Sequence, residues 1–129
     1  MQKILLAAVL VLGFSFTAQH ASAHCEVPCG IYNDSVRIKL IYEHITTIEK
    51  AMKNIETESA KAKPNYNQLV RWVNNKESHA EKIQQIVSQY FLHQRIKAVS
   101  PNDRHGYGHY VQKLALLHSL SVSAMKAKQ

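Results

Sequence analysis

Two thiols, an imidazole and a turn-forming proline occur together near the start of the chain. They lie within the sequence His24-Cys25-Glu26-Val27-Pro28-Cys29-Gly30-Ile31-Tyr32. Because Pro28 favours a turn, the sulfurs of Cys25 and Cys29 can converge on one metal ion. If His24 is freed as a chain terminus, it adds an α-amine and an imidazole to the donors. Two nitrogens and two sulfurs in a plane suit nickel(II) or copper(II), whereas zinc prefers a tetrahedron.

The residues before His24 have the three parts of a secretory signal peptide. A basic start containing Lys3 leads into the apolar run 4–14, and the segment ends with the small residues Ala21-Ser22-Ala23. The apolar run is shorter than the roughly 20 residues of a membrane-spanning helix, although a membrane anchor is the alternative reading. Cleavage after Ala23 would make His24 the first residue and predicts an exported protein, periplasmic or extracellular.

The two cysteines of the chain, Cys25 and Cys29, leave several chemistries open. In an exported protein the plain alternative is a disulfide, yet this bridge would close a very short loop at a chain end and constrain little of the fold. A thiol-disulfide oxidoreductase is disfavoured by the three-residue gap and by the lack of strand-helix alternation. A nickel or copper carrier without turnover, and a helical structural protein with a terminal disulfide, remain as alternatives to a metalloenzyme.

Residues 33–129 have the apolar spacing of helices. A first helix is predicted to start at the capping residues Asn33-Asp34-Ser35 and to end at Ser59. Its inward stripe comprises Ile38, Ile41, Ile45, Ile48, Met52 and Ile55. The polar stretch 60–65, with its proline, predicts a linker.

Two further helices are predicted after that linker. The second would run to about Val99, and its stripe comprises Leu69, Val73, Ala80, Ile83, Val87 and Tyr90, interrupted by Lys76. A turn is predicted at 104–108, where two glycines occur. The last helix would run from about His109 to Lys126. One of its sides carries Val111, Leu114, Leu117, Ala124 and Met125, and a second side carries Leu116 and Leu120. We therefore predict an all-α fold, an antiparallel, up-and-down helix bundle with short connections.

The charge of the chain bears on its partners. The formal net charge is +7, and only Lys3 would be lost with the signal peptide. A basic excess can attract nucleic acid, an acidic surface or a small anion. Export and the absence of a dense Lys/Arg run argue against nucleic acid, which leaves an acidic surface or a small anionic substrate.

The pattern His-Cys-x-x-Pro-Cys-x-x-Tyr at a mature N-terminus, followed by helices, resembles the nickel-containing superoxide dismutases. The matching positions are His24, Cys25, Pro28, Cys29, Gly30 and Tyr32. A weaker similarity links Lys76-Glu77 and Gln89-Tyr90-Phe91 to the Lys-Glu and Asp-Tyr-Phe segments of that family. We call residues 24–32 the N-terminal hook; the predicted organisation is a signal peptide at 1–23, the hook at 24–32 and the helix bundle at 33–129.

The resemblance implies a nickel-dependent superoxide dismutase, an antioxidant oxidoreductase that converts superoxide to oxygen and hydrogen peroxide by nickel(II)/nickel(III) cycling. The ligands would be the His24 amine, the Cys25 backbone nitrogen and the sulfurs of Cys25 and Cys29, with the His24 imidazole axial in the oxidised state. Such strong donors stabilise the higher oxidation state. Tyr32 and, through the weaker similarity, Tyr90 would stand near the metal and govern what reaches it.

This chain also departs from the family pattern. The family has four-helix subunits that assemble into a homohexamer, whereas this chain has room for about three helices. Either the sequence is shortened at its C-terminus or the last helix has been dispensed with, and the apolar second side of the final helix favours the first option. His79 stands where some members carry an arginine that supports the axial histidine, which raises the question of whether His79 takes over that hydrogen bond.

Overall fold

The computed structural model describes residues 33–129, and all the regular structure in this range is helical. Helix α1 spans Asp34–Ser59 and α2 spans Tyr66–Gln85; α2 continues into a π-helical segment at Ile86–Arg95, and α3 spans Arg104–Lys126. This arrangement confirms the predicted all-α fold with about three helices. None of the helices within 33–129 combines the length and hydrophobicity that a membrane crossing needs.

We call α2 and the π-helical segment together, Tyr66–Arg95, the central helix. Contacts at both ends show that α1 and the central helix run antiparallel. At one end the side chain of Glu58 accepts a hydrogen bond of 2.8 Å from the backbone N–H of Asn65, just before α2 begins. At the other end Asp34, the first residue of α1, forms an ion pair with Arg95, the last residue of the π-helical segment. The start of α1 is therefore held at the far end of the central helix.

The helix boundaries follow from capping chemistry. The side chain of Asn33 accepts a hydrogen bond of 2.8 Å from the backbone N–H of Ser35, and Asn65 does the same for Gln68 at 3.2 Å. These side chains satisfy N–H groups that have no partner inside the helix. The predicted start of α1, its end at Ser59 and the linker at 60–65 are thereby confirmed.

The core lies where α1 and α3 pack on the central helix. Its buried cluster comprises Ile48, Ala80, Ile83, Val87 and Ala124. Ile83 is 2% exposed and Val87 is 1% exposed; full burial of such a side chain stabilises a fold by about 1.5–3 kcal/mol. The side-chain amide of Gln84 donates to the carbonyl of Ser121 at 3.3 Å, which brings the C-terminal half of α3 beside the end of α2. From there α3 runs antiparallel to the π-helical segment.

Some side chains predicted to face the core are instead exposed on α1 and α3. They are Ile38, Met52, Val111 and Met125. Each of these helices packs on one side of the central helix and so buries a narrow stripe, in which the small residues Ala51 and Ala124 occupy the close-contact positions. Lys76, predicted as a polar interruption, is only 9% exposed, because its aliphatic stem can pack on apolar neighbours.

The predicted turn at 104–108 is wrong, because α3 already begins at Arg104. Asp103 caps the helix: its Oδ1 accepts hydrogen bonds from the backbone N–H groups of His105 at 3.2 Å and Gly106 at 3.0 Å. A Cβ atom at Gly106 would lie 2.5 Å from Oδ2 of Asp103. The glycine therefore makes room for the cap instead of breaking the helix.

The two glycines of α3 should respond differently to substitution. A Cβ at Gly108 would meet nothing within 4 Å, so Gly108→Ala should stabilise the protein by about 0.5–1 kcal/mol through helix propensity. Gly106→Ala should lose this gain, because its Cβ displaces the Asp103 carboxylate from a cap worth about 1 kcal/mol. Urea unfolding of both variants measures the difference; equal gains in unfolding free energy would contradict the role assigned to Gly106.

Candidate metal centre

The residues predicted to bind the metal precede the part of the chain that the structure describes. His24, Cys25, Cys29 and Tyr32 lie outside residues 33–129. Within 33–129, no group of three or more His, Cys, Asp or Glu side chains is arranged to hold a metal ion. Of the predicted site residues, Tyr90 lies within the part of the chain that the structure describes.

Tyr90 lies on the π-helical segment and is 5% exposed. Its hydroxyl donates a hydrogen bond to Oδ1 of Asp34. Its ring packs edge-to-face on Phe91, with ring centroids 5.0 Å apart, and the guanidinium carbon of Arg37 lies 5.5 Å from its ring centroid. The predicted site residue Tyr90 is thus held on several sides by groups from two helices.

Arg95 also contacts Asp34, through a two-point ion pair. Its Nε lies 2.8 Å from Oδ1 of Asp34 and its Nη2 donates to Oδ2 at 3.0 Å, the forked geometry that suits guanidinium and carboxylate. We call Asp34, Arg37, Tyr90 and Arg95 the Asp34 cluster. It joins the first turn of α1 to the end of the central helix.

The protonation states of the Asp34 cluster follow from these contacts. Hydrogen bonds from Arg95 and then Tyr90 lower the pKa of Asp34 below its usual value. Burial, and then the hydrogen bond to Asp34, raise the pKa of Tyr90 above its usual value. At neutral pH the carboxylate of Asp34 is therefore ionised and the phenol of Tyr90 keeps its proton.

The π winding explains how Tyr90 and Arg95 reach the same carboxylate. In an α-helix, two residues five positions apart point roughly 140° away from each other. In a π-helix the backbone hydrogen bonds join residues five positions apart, so two such residues lie on the same face. Such a bond joins the N–H of Ile96 to the carbonyl of Phe91 at 2.9 Å. The segment ends at Arg95, earlier than the predicted end near Val99.

Two open cavities adjoin Arg95. One, of about 470 Å³, lies between Asp34, Arg95 and Lys113 over an apolar floor formed by Phe91, Ile96, Leu116 and Leu117. The other, of about 360 Å³, is lined by Arg95, Lys97 and Lys113 among other residues. Cationic side chains around a concave surface concentrate positive potential there, so a small anion would be drawn to this end of the bundle.

His79 contacts a second histidine, His44, across the interface of α1 and α2. Their Nδ1 atoms are 3.0 Å apart, and the rings meet edge-to-face with centroids separated by 4.9 Å. Burial, followed by the charges of His79 and Lys82, lowers the pKa of His44; burial and then Lys82 lower the pKa of His79. Glu43 opposes both shifts. A neutral pair can share one N–H···N hydrogen bond, whereas two imidazolium rings would repel.

One known protein family matches nearly the whole chain. A sequence model described as nickel-containing superoxide dismutase matches residues 19–129, a range that includes the hook and all described helices. The chain belongs to the nickel-containing superoxide dismutase family. No curated protein and no solved structure gives a significant match.

Family membership confirms the predicted chemistry. A nickel-containing superoxide dismutase is an oxidoreductase that needs nickel and acts on superoxide, so the predicted activity, cofactor and substrate are confirmed. The helical bundle is the fold expected for this dismutase family.

Several contacts among the described residues do not follow from the sequence pattern. The sequence identified Asp34 only as a capping residue, did not single out Arg37 or Arg95, and did not predict the contact between His44 and His79. Asp34 and Arg95 are 61 residues apart and His44 and His79 are 35 apart, so their contacts depend on the packing register. A stripe of apolar residues predicts that two helices pack but not which polar flanks meet.

The histidine pair predicts acid-sensitive stability. Between about pH 7 and 5 the unfolded histidines, with a pKa of roughly 6.5, bind more protons than the folded pair does. The unfolding free energy should therefore fall as the pH falls through this window. His79→Gln should flatten this dependence, while the control His118→Gln, at an exposed position on α3, should not.

Urea midpoints measured at a series of pH values compare these variants. A slope that is equally steep in the wild type and in His79→Gln would contradict the assignment.

Proposed function

We propose that the mature dismutase begins at His24 and holds nickel through donors of the hook. The donors are the His24 amine, the Cys25 backbone nitrogen and the sulfurs of Cys25 and Cys29, with the His24 imidazole as a further ligand. Thiolate and nitrogen donors of this kind fit nickel and stabilise its higher oxidation state. When bound, nickel supplies the one-electron couple by which one superoxide is oxidised to oxygen and another is reduced to hydrogen peroxide.

The observation that carries this proposal is the extent of the family match, which runs through the hook as well as the helices. The described contacts add support. The hook leads directly into Asn33, whose side chain caps α1, and into Asp34, which is bound to Tyr90 and Arg95. The residues that follow the hook are therefore well anchored, as a metal site at a chain terminus requires.

Tyr32 and Tyr90 are proposed to stand near the metal and to control access to it. Tyr90 is buried and braced by Phe91 and Arg37, which suits a residue that excludes bulky molecules. Arg95 and Lys113 line the adjoining cavity and would attract an anion of the size of superoxide. These side chains would guide and filter the substrate, and nickel held by the hook would supply the redox couple.

Processing and assembly are part of the same proposal. The signal peptide 1–23 is proposed to direct export to the periplasm or the exterior, and its removal exposes the His24 amine and leaves no stable membrane association. Large apolar side chains are exposed on α1 and α3, including Val36, Ile38, Tyr42, Val111, Leu116 and Met125. Such surfaces support self-association, and the family resemblance suggests a homohexamer. No nucleic-acid partner is proposed.

Superoxide decay, followed directly after a pulse, tests the proposed ligands. The chain 24–129, bearing a free amine and loaded with nickel(II), should accelerate the decay catalytically. Cys25→Ser should abolish the acceleration, because it removes one sulfur donor. The zinc-loaded chain is the matched control, since zinc has no redox chemistry of this kind.

Two outcomes would contradict the proposal. Full activity in Cys25→Ser would remove the ligand assignment. Nickel binding with superoxide decay at its uncatalysed rate would favour the alternative, a carrier that binds nickel or copper without turnover.

A further inference from the structure

The carboxylate of Asp34 determines which hydrogen bonds Tyr90 can make. A phenol hydroxyl carries a single proton, and in Tyr90 that proton is donated to Oδ1 of Asp34. The phenol oxygen of Tyr90 is then left with its lone pairs, which can only accept hydrogen bonds. While this contact persists, Tyr90 cannot also donate its proton to a substrate or a product.

We propose that Asp34 is a positioning residue of the dismutase centre, which fixes the hydroxyl of Tyr90 so that its oxygen acts as a hydrogen-bond acceptor and not as a proton donor. The inference rests on the proposed place of Tyr90 near the metal. It deepens that proposal by assigning Tyr90 an orienting role and by excluding it as the source of the protons that peroxide formation consumes.

The ring of Tyr90 is held by its packing, whereas the direction of its O–H bond is set by Asp34. The ring lies against Phe91 and beneath the guanidinium of Arg37, and the residue is 5% exposed. These contacts restrict the ring itself. The hydroxyl proton can still rotate about the C–O bond, and a hydrogen bond to an ionised acceptor is strong enough to select one direction.

Asp34 is itself held in place and neutralised. Arg95 binds both of its oxygens, with Nε at 2.8 Å from Oδ1 and Nη2 at 3.0 Å from Oδ2. This forked contact fixes the plane of the carboxylate. It also offsets a negative charge that would otherwise repel an anionic substrate. Lys113 lines the same cavity as Asp34 and Arg95, so the cavity keeps an excess of positive charge.

The place of Asp34 in the chain gives this contact a second consequence. Asp34 begins α1 and lies two positions after Tyr32, the last residue of the hook. Its carboxylate therefore ties the backbone that leaves the hook to the side chain of Tyr90. Loss of the contact would release both the hydroxyl orientation and the connection between the first turn of α1 and the π-helical segment.

A double-mutant cycle tests whether Asp34 acts through Tyr90. The nickel-loaded chain 24–129 is compared with Asp34→Ala, Tyr90→Phe and the double variant by pulsed superoxide decay. Each single variant should lose about tenfold in rate constant, because the hydroxyl of Tyr90 is either left without its orientation or removed. The double variant should lose no more than the worse single variant, because the two residues act as one unit.

A second readout does not depend on activity. Titration of tyrosinate absorbance, taken as the difference between a chain and its Tyr90→Phe counterpart, isolates Tyr90. Asp34→Ala should move that titration to lower pH, because the carboxylate favours the protonated phenol. The matched control is Glu58→Ala, which removes the ion pair with Lys61 at the opposite end of α1 and should change neither readout.

The outcomes separate the two proposals. If the wild-type chain binds nickel but does not accelerate superoxide decay, the proposed catalytic centre and the role of Asp34 in it both fail. If the wild type is active but the losses multiply to about a hundredfold in the double variant, or if the Tyr90 titration does not move, only the role of Asp34 is overturned.

Discussion

The candidate site depends on one carboxylate that is shared between two side chains. Asp34 begins α1, while its partners Tyr90 and Arg95 lie at the far end of the central helix. The pair with Arg95 is partly open to solvent and contributes little to stability by itself. Its position is instead determined by the core, in which Ile83 and Val87 are almost completely buried. The core thus fixes α1 relative to the central helix. The contacts of Asp34 then fix the side chains of Tyr90 and Arg95 beside the first turn of α1.

A local change in helix winding makes that geometry possible. If the central helix had continued as an α-helix, Tyr90 and Arg95 would point in different directions and could not both bind Asp34. The π-helical segment brings them to one face, at the cost of an uncommon hydrogen-bonding pattern that recurs at functional sites. The same segment orients Arg95 toward the cavities that it shares with Lys113. The same stretch of ten residues therefore positions Tyr90 and contributes positive charge to the cavities.

Much of the fold was predictable from local chemistry, whereas the contacts of the site were not. Asn33 and Asn65 mark helix starts because their side chains cap free N–H groups, and the hook was recognisable because its donors are close in sequence. Gly106 was misread as part of a turn, since its role depends on the carboxylate of Asp103. Contacts such as that between His44 and His79 require the register of two helices, which apolar periodicity does not specify.

The proposed ligand set requires that the amine of His24 be free for the dismutase to work. The most direct measurement compares superoxide decay by two nickel-loaded chains, one beginning at His24 and the other retaining Ala23. Nickel content is measured in both, so that binding is separated from turnover. We predict catalytic decay for the first chain and none for the second, even when nickel is present. Equal activity in the two chains would contradict the claim that the chain terminus is a metal ligand.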